Sequence, residues 1–175
     1  MTTKQSTIQS EAKLRGIFEK IVVNAGVGRA SAQAQFEEKV LPQIRRDLNA
    51  MAGQASHLRP SRKSIAGFKM REGQTVGLRI TLRKKKMVDF FTRLITIVLP
   101  RVRDFSGIDM KAVDEGGVLN IGFKEQFVFP EINPEESAFI FPLGVNIVPR
   151  AKDRAKAIEL YKELGVPFKK TQSKK

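Results

Sequence analysis

The chain has no cysteine and one histidine, His57, and these two shortages exclude several kinds of site. Without cysteine there is no disulfide framework, no thiolate zinc site and no cysteine nucleophile. A single histidine leaves no histidine pair for a metal and few ways to build a Ser-His-Asp triad. Because His57 lies in a polar loop, we interpret it as an ordinary surface residue.

Long apolar runs are also absent. The most apolar stretch, residues 94–99, is far shorter than the ~20 residues that cross a bilayer. The first ten residues are polar and contain no apolar segment of the kind found in export signals. We therefore expect a cytoplasmic protein with no membrane partner.

Acidic side chains are scarce where basic ones are dense. Lys and Arg total 32 against 18 Asp and Glu, which gives a net charge of +14. Residues 59–103 carry 13 basic and two acidic side chains, whereas residues 104–149 carry two basic and eight acidic ones. A net charge this large destabilises a compact fold through self-repulsion, and a polyanion would offset it. This distribution indicates that residues 59–103, the basic block, bind nucleic acid.

Apolar periodicity predicts an α+β protein of one domain in these 175 residues. We expect a mostly antiparallel sheet with helices packed on one face and a long basic loop. The predicted domain covers residues 14–168, between a flexible N-terminal tail at 1–13 and a basic C-terminal tail at 169–175. The predicted strands are Ile17–Val23, Thr75–Arg83, Val118–Phe129 and Leu143–Val148. The first predicted helix, Phe36–Met51, follows Ser31 as a possible cap and is kinked or split near Leu41 by Pro42. The others are 85–99 and a last helix capped by Asp153.

Two patterns suggest chemistry only weakly. Gly26-Val27-Gly28 follows a strand as a phosphate-binding turn does, but Ser31 stands where the third glycine belongs. The simpler interpretation is that the two glycines allow the backbone conformation of a tight turn. The carboxylates of Asp104, Asp109 and Asp114 have no histidine or metal partner in the pattern, so we interpret them as loop solubilisers.

The basic block gives a stronger signal. Cations along a loop and a strand can neutralise phosphates and release their counterions, which favours binding. Arg79, Thr81 and Arg83 recur at alternate positions of one predicted strand. Phe68 is the only aromatic residue of the basic loop, which argues against a base-stacking platform for single strands. We therefore predict contact with a folded RNA. The cations predicted to bind it are Arg59, Arg62, Lys63, Arg79 and Arg83.

Several separate segments, in order and spacing, resemble the family of ribosomal large-subunit protein five, the 5S rRNA-binding protein of the central protuberance. The similarity extends over about residues 14–168. The segments that carry it are Val23–Gly28, Ala52–Gln54, Arg62–Arg71, Thr81–Arg83, Phe90–Ile97, Pro100–Gly107 and Phe129–Ile132.

The resemblance implies an α+β fold that holds 5S rRNA on its sheet side. It assigns RNA contacts to Asn24, Gln54 and Thr81. It also implies that the basic loop, residues 64–73, approaches the peptidyl-site tRNA, and that the acidic region bridges to a protein of the small-subunit head. The tRNA-contact residues are then Ser64, Phe68, Lys69, Met70 and Arg71, and the bridge residues are Asp109, Glu131, Glu135 and Glu136.

The sequence thus predicts a structural ribosomal protein without catalytic activity or cofactor. Its expected partners are 5S rRNA, large-subunit rRNA, peptidyl-site tRNA and neighbouring ribosomal proteins. Two alternatives remain open at this point: a nucleotide-dependent enzyme that uses the Gly26–Gly28 turn, and a free RNA chaperone outside the ribosome.

Overall fold

The computed structural model describes residues 14–28, 30–32, 35–68 and 70–169. The predicted N-terminal tail, residues 1–13, lies outside the described residues. So does the predicted C-terminal tail from residue 170 onward.

A five-stranded antiparallel sheet forms the centre of the fold, which confirms the predicted α+β class. Its strands hydrogen-bond in the order β2-β3-β1-β5-β4. Along β3 and β5, buried side chains alternate with half-buried ones, so one face of each strand is covered and the other is open. The strands are β1 Phe18–Gly26, β2 His57–Pro60, β3 Thr75–Leu82, β4 Leu119–Phe123 and β5 Leu143–Pro149.

Three helices of ten or more residues accompany the strands in the described part of the chain: α1 Leu41–Ala52, α2 Lys84–Arg93 and α3 Arg154–Glu163. A π-helical turn, Phe36–Val40, leads into α1, and another, Leu94–Val98, continues α2 into the short helical turn Leu99–Arg101. Residues 14–17 are helical as well. Single 3₁₀ turns occur at Ala30–Ala32, Ala66–Phe68, Met110–Ala112 and Gln126–Val128.

Local sequence signals account for the helix ends. Pro42 lies in the first turn of α1, where its missing N–H costs nothing, and the chain changes from π to α geometry at Leu41 as the predicted split requires. Gly53 ends α1 at φ +60°, and its N–H donates to Asn49 O at 2.8 Å. The Asp153 carboxylate accepts from the N–H groups of Ala155 and Lys156, which confirms the predicted cap of α3.

Three predicted elements differ from the structure. The strand predicted at Val118–Phe129 ends at Phe123, because Gln126 turns into the interior within a 3₁₀ turn. The first strand extends to Gly26, so Asn24 lies within β1 instead of in the following turn. Ser31 does not cap a helix, since its hydroxyl donates to Gly28 O at 2.8 Å.

The chain divides into two compact units. The first unit comprises the described parts of residues 1–21, 83–121 and 146–175, and the second those of residues 22–82 and 122–145. The single-domain boundary at 14–168 stays a prediction.

The first unit has an aromatic core. The ring centroids of Phe18 and Phe91 lie 4.8 Å apart, and those of Phe18 and Tyr161 lie 6.1 Å apart. The buried Tyr161 hydroxyl is 2.9 Å from Gly117 O and 3.1 Å from Ile147 O. Burial raises the pKa of the Tyr161 phenol well above its usual range.

Helix α1 and strand β3 supply aliphatic side chains to the core of the second unit. The buried face of α1 contributes Ile44, Leu48 and Met51 at helical spacing. The covered face of β3 contributes Leu78, Ile80 and Leu82 at every second residue. No helix within the described residues combines the length and the apolar character that a membrane crossing needs.

Candidate nucleic-acid interface

The open face of the β2–β3 hairpin carries two of the five predicted cations, Arg59 and Arg79, in a fixed register. His57 pairs with Arg79, and Arg59 pairs with Gly77. Directly opposed residues of an antiparallel pair project from the same face, so His57, Arg59 and Arg79 share one face with Thr81. Every residue of β2 is exposed, because it is the edge strand. The hairpin therefore presents a basic surface on rigid backbone.

Arg79 has the most restrained position on this face. The side chain is half-buried, and its Nε is buried without a hydrogen-bond partner among the described residues. No described carboxylate lies within ion-pair distance of its guanidinium. A buried donor without a partner costs free energy, which an incoming acceptor would recover.

Asn24 lies on the neighbouring strand β1, over a glycine. A Cβ built on Gly144 of β5 would come within 2.9 Å of Asn24 Oδ1 and 3.4 Å of Asn24 Cγ. The absent side chain at Gly144 leaves room for the Asn24 carboxamide, so a residue of β5 fixes the space available to Asn24.

Gln54 and Thr81 are brought together as a pair. Gln54 Nε2 donates to Thr81 O at 3.2 Å, which ties the turn after α1 to the end of β3. The Thr81 side chain is half-buried and stands at the next open-face position after Arg79. Asn24, Gln54, Arg59, Arg79 and Thr81 all belong to the second unit.

The basic loop that connects β2 and β3 is anchored at its base. Gln74 Nε2 donates to Ser31 O at 2.8 Å, and Gln74 Oε1 accepts from Arg71 N at 3.0 Å. Ser61 N donates to Gln74 O at 2.8 Å, and Gly73 N donates to Ser61 O at 3.0 Å. These bonds hold the two ends of the loop next to each other and next to the turn after β1.

The tip of the loop carries the predicted tRNA-contact residues. Ile65 and Met70 form an isolated antiparallel bridge, and Ser64 Oγ accepts from Glu72 N at 3.0 Å. Phe68 is 72% exposed. The exposed Arg62, Lys63 and Arg71 side chains make no hydrogen bond or ion pair with any described residue. Lys69 lies outside the described residues.

Arg83 is separate from this group. The strand ends at Leu82, one residue before Arg83, and Arg83 belongs to the first unit. Its Nη1 lies 3.7 Å from Glu19 Oε1, so its charge is partly neutralised within the chain. The hydrogen bond and charge of Lys20, with a smaller contribution from Arg83, lower the pKa of the Glu19 carboxyl.

The acidic segment, residues 130–141 of the second unit, is held by two glutamines. Gln43 Nε2 donates to Phe139 O at 3.0 Å, and Gln43 Oε1 accepts from Phe139 N at 3.2 Å. Gln126, fully buried, donates to Phe139 O at 2.8 Å and accepts from Phe141 N at 3.0 Å. These amides satisfy backbone groups that have no strand partner.

A buried carboxylate adds a third attachment to the acidic segment. Ser137 Oγ donates to Asp47 Oδ2 at 2.7 Å, and both side chains are buried. Arg46 Nη2 donates to Glu136 O at 2.8 Å. The carboxylates of Glu131, Glu135 and Glu136 are exposed on this braced segment.

The fourth predicted bridge residue, Asp109, lies in the first unit. Its carboxylate accepts from Lys111 N at 2.8 Å and caps a 3₁₀ turn. Asn120 and Asn146 were not among the predicted site residues. They lie on the neighbouring strands β4 and β5 and also belong to the first unit. Asn146 Nδ2 donates to Asn120 Oδ1 on the open side of these strands. The polar positions alternating with buried ones in both strands were the signal.

The Gly26–Gly28 turn lacks the surroundings of a phosphate-binding loop. Among the described residues, a single 3₁₀ turn, Ala30–Ala32, follows it, and the next helical segment begins with the π-helical turn at Phe36. A phosphate-binding loop needs a helix N-terminus that directs N–H groups at the turn, and the described residues place none there.

The cations of the sheet face and of the loop have no acidic partner among the described residues. This surface defines the class of a nucleic-acid-binding protein.

Comparison with known proteins narrows this class to one family. The family model for the C-terminal part of the ribosomal L5 family matches residues 75–168. The chain is 44% identical over 152 residues to large ribosomal subunit protein uL5 of Geobacter sulfurreducens, covering 87% of this chain and 83% of that protein. It is 42% identical over 158 residues to uL5 of Malacoplasma penetrans, covering 90% and 82%. It is 45% identical over 152 residues to uL5 of Desulforapulum autotrophicum, covering 87% and 83%.

The chain belongs to the ribosomal L5 family, as the sequence resemblance predicted. It is a structural constituent of the large ribosomal subunit, acts in translation and associates with rRNA and ribosomal components.

Proposed function

We propose that the chain binds 5S rRNA through the open face of β1, β2 and β3 in the second unit. The observation that carries this proposal is Arg79, whose half-buried guanidinium lacks a partner in the described structure. On the same β2–β3 face Arg59 is exposed on the edge strand and pairs with Gly77, which has no side chain to cover it. A restrained donor beside exposed cations suits a folded RNA, because both the position of the donor and the charge of the cations contribute to RNA binding.

Asn24, Gln54 and Thr81 add uncharged donors and acceptors to this surface. Amides and hydroxyls distinguish sugar hydroxyls and base edges, whereas Arg62 and Lys63 on the adjoining loop bind phosphates irrespective of sequence. Arg83, already paired with Glu19, contributes less to RNA affinity than the cations without a partner.

Binding of the full chain to 5S rRNA tests this proposal. We expect much tighter binding to 5S rRNA than to an unrelated folded RNA of equal length. Arg59→Ala should weaken 5S binding, whereas Arg45→Ala, which removes an exposed arginine from α1, should leave it unchanged. Equal affinity for both RNAs would favour a general RNA chaperone and contradict the proposal.

The basic loop contacts the peptidyl-site tRNA in our proposal. Its ends are fixed by Gln74 and Ser61, while the side chains of Phe68 and Arg71 are exposed. Ribosomes assembled with the Arg71→Ala chain should lose tRNA from the peptidyl site faster than those with the Arg101→Ala chain. Arg101 is an exposed arginine of the first unit outside this loop. Identical dissociation rates would remove the loop from this role.

The acidic segment bridges to a basic protein of the small-subunit head in our proposal. Glu131, Glu135 and Glu136 are exposed on backbone that Gln43 and Gln126 hold in place. Changing the three glutamates to glutamine should reduce the fraction of joined subunits in sedimentation. Glu37→Gln with Glu38→Gln, exposed acids of the turn before α1, serves as the control. The proposed location is the cytoplasmic ribosome.

A further inference from the structure

An apolar groove of about 680 Å³ lies in the second unit, between the basic loop and the acidic segment. Its volume is within the range of sites that bind small organic groups. Each of the contributing segments belongs to this unit, so the groove is formed by one compact body. Its lining residues are Gly26, Gly28, Ala30, Phe68, Met70, Phe139, Phe141 and Pro142.

The groove brings together aromatic residues that are distant in the sequence. Phe68 was the only aromatic residue of the basic loop, but the fold places Phe139 and Phe141 along the same groove. Phe68 is 72% exposed, whereas Phe141 is buried and forms part of a fixed wall. Exposed aromatic surface over an apolar cleft is a feature of sites for planar ligands.

The charges of the β2–β3 connection restrict the occupant of the groove. Met70 is a lining residue, and the side chain of the next residue, Arg71, makes no hydrogen bond or ion pair with a described residue. The side chains of Arg62 and Lys63, in the same connection, are also without such a partner. A ligand with a flat apolar part and an anionic backbone satisfies both the rings and the cations.

We propose that this groove receives an unpaired nucleobase of the RNA that the basic loop holds, with the base against Phe68 and its phosphates near Arg71. This inference rests on the proposed binding of RNA by the loop. It goes further, because it assigns to Gly26 and Gly28 the purpose of leaving the groove open at the end of β1.

Fluorescence binding to the full chain tests the proposal. The probe is an RNA hairpin with one bulged 2-aminopurine, compared with the same hairpin in which that base is paired. We expect about 10-fold tighter binding of the bulged hairpin, since stacking of one base on an aromatic ring has this order of effect. We also expect a change in 2-aminopurine emission that the paired hairpin does not show.

Three variants locate the base. Phe68→Ala should abolish the preference, and Phe68→Tyr should keep it. Gly26→Leu should also abolish it by placing a side chain in the groove that Gly26 lines, since a Cβ at Gly26 meets no atom within 4 Å. Ile140→Ala is the matched control: Ile140 is 53% exposed and stands between two lining phenylalanines, but it does not line the groove.

Each result decides the question. Equal affinity for the two hairpins, or a preference that survives Gly26→Leu, overturns the proposal. An acidic peptide with one phenylalanine that binds in a Phe68-dependent manner, in the absence of any hairpin preference, makes the groove a protein site and also overturns it. Affinity for 5S rRNA is measured in parallel, so that failure of the sheet-face proposal is recognised separately from failure of this one.

Discussion

The carboxamide of Asn24 occupies the space that a side chain at position 144 would take. The 2.9 Å between Asn24 Oδ1 and a Cβ built on Gly144 is shorter than real Cβ contacts. The orientation of a proposed RNA-contact residue on β1 therefore depends on a glycine of β5.

Gly144→Ala should displace the Asn24 carboxamide and weaken 5S rRNA binding about as much as Asn24→Ala, by roughly 1–3 kcal/mol. The double variant should bind no more weakly than either single one, because both changes remove the same contact. Affinities from filter binding check this. Gly122→Ala on β4 is the control, since a Cβ there meets no atom within 4 Å, and it should bind as the parent does.

Arg79 and Arg62 should respond differently to removal. Arg79 is half-buried with an unpartnered Nε, so Arg79→Ala should cost about 1–3 kcal/mol for 5S rRNA and reduce its preference over an unrelated RNA. Arg62 is an exposed loop cation, and Arg62→Ala should weaken both RNAs alike and reduce the salt slope by about one. Binding at several salt concentrations separates the two. An Arg79→Ala chain with unchanged affinity throughout would remove Arg79 from the interface.

Ser137→Ala should destabilise the second unit by about 1–3 kcal/mol, because it leaves the buried Asp47 carboxylate without its hydroxyl donor. Ser61→Ala is the matched change at a half-buried serine, whose Oγ donates to Lys63 O in a solvent-exposed hydrogen bond, and it should stay within about 0.5 kcal/mol. Urea unfolding measures both. Similar midpoints for the two variants would show that the Asp47–Ser137 bond does not stabilise the fold.

Tyr161 should make stability fall at high pH. The phenol ionises near pH 10 in the unfolded chain, whereas burial raises its pKa in the folded chain. Above about pH 10 the unfolded state therefore holds fewer protons, and the free energy of unfolding decreases as pH rises. Tyr161→Phe removes this dependence.

Urea unfolding of the parent and Tyr161→Phe chains at each pH isolates the phenol, because the two chains differ only in this hydroxyl. At neutral pH the parent should be more stable by about 1–3 kcal/mol, since the variant leaves Gly117 O and Ile147 O without the hydroxyl. The difference should narrow as pH rises past about 10. A constant difference would contradict this prediction.

Period-two alternation was enough to predict β3 and β5, because β5 buries one face along its whole length and β3 does so from Leu78 onward. The edge strand β2 was missed. Its residues His57–Pro60 are all exposed and end in proline, which an edge strand tolerates because its outer N–H groups need no partner. Only the pairing with β3 makes this segment a strand.

The sequence predicted the candidate site where charge and residue spacing indicate it, as in the basic loop and on the open face of β3. Contacts between distant segments carry no local signal. Three relationships join residues far apart in sequence. Phe68 lines one groove with Phe139 and Phe141, Gly144 leaves space for Asn24, and Gln126 hydrogen-bonds to Phe139. Periodicity describes a segment's own neighbours, so these relationships require the fold.

The attachment of residues 139–141 through Gln43 and Gln126 has a consequence for how the acidic segment responds to its surroundings. Carboxamides carry no charge and attract no counterions, so added electrolyte leaves the backbone shape of Phe139 and Phe141 as it is. The glutamates displayed beside them remain open to screening. Ionic conditions can therefore regulate how strongly this part of the protein holds a basic neighbour without remodelling the surface it offers.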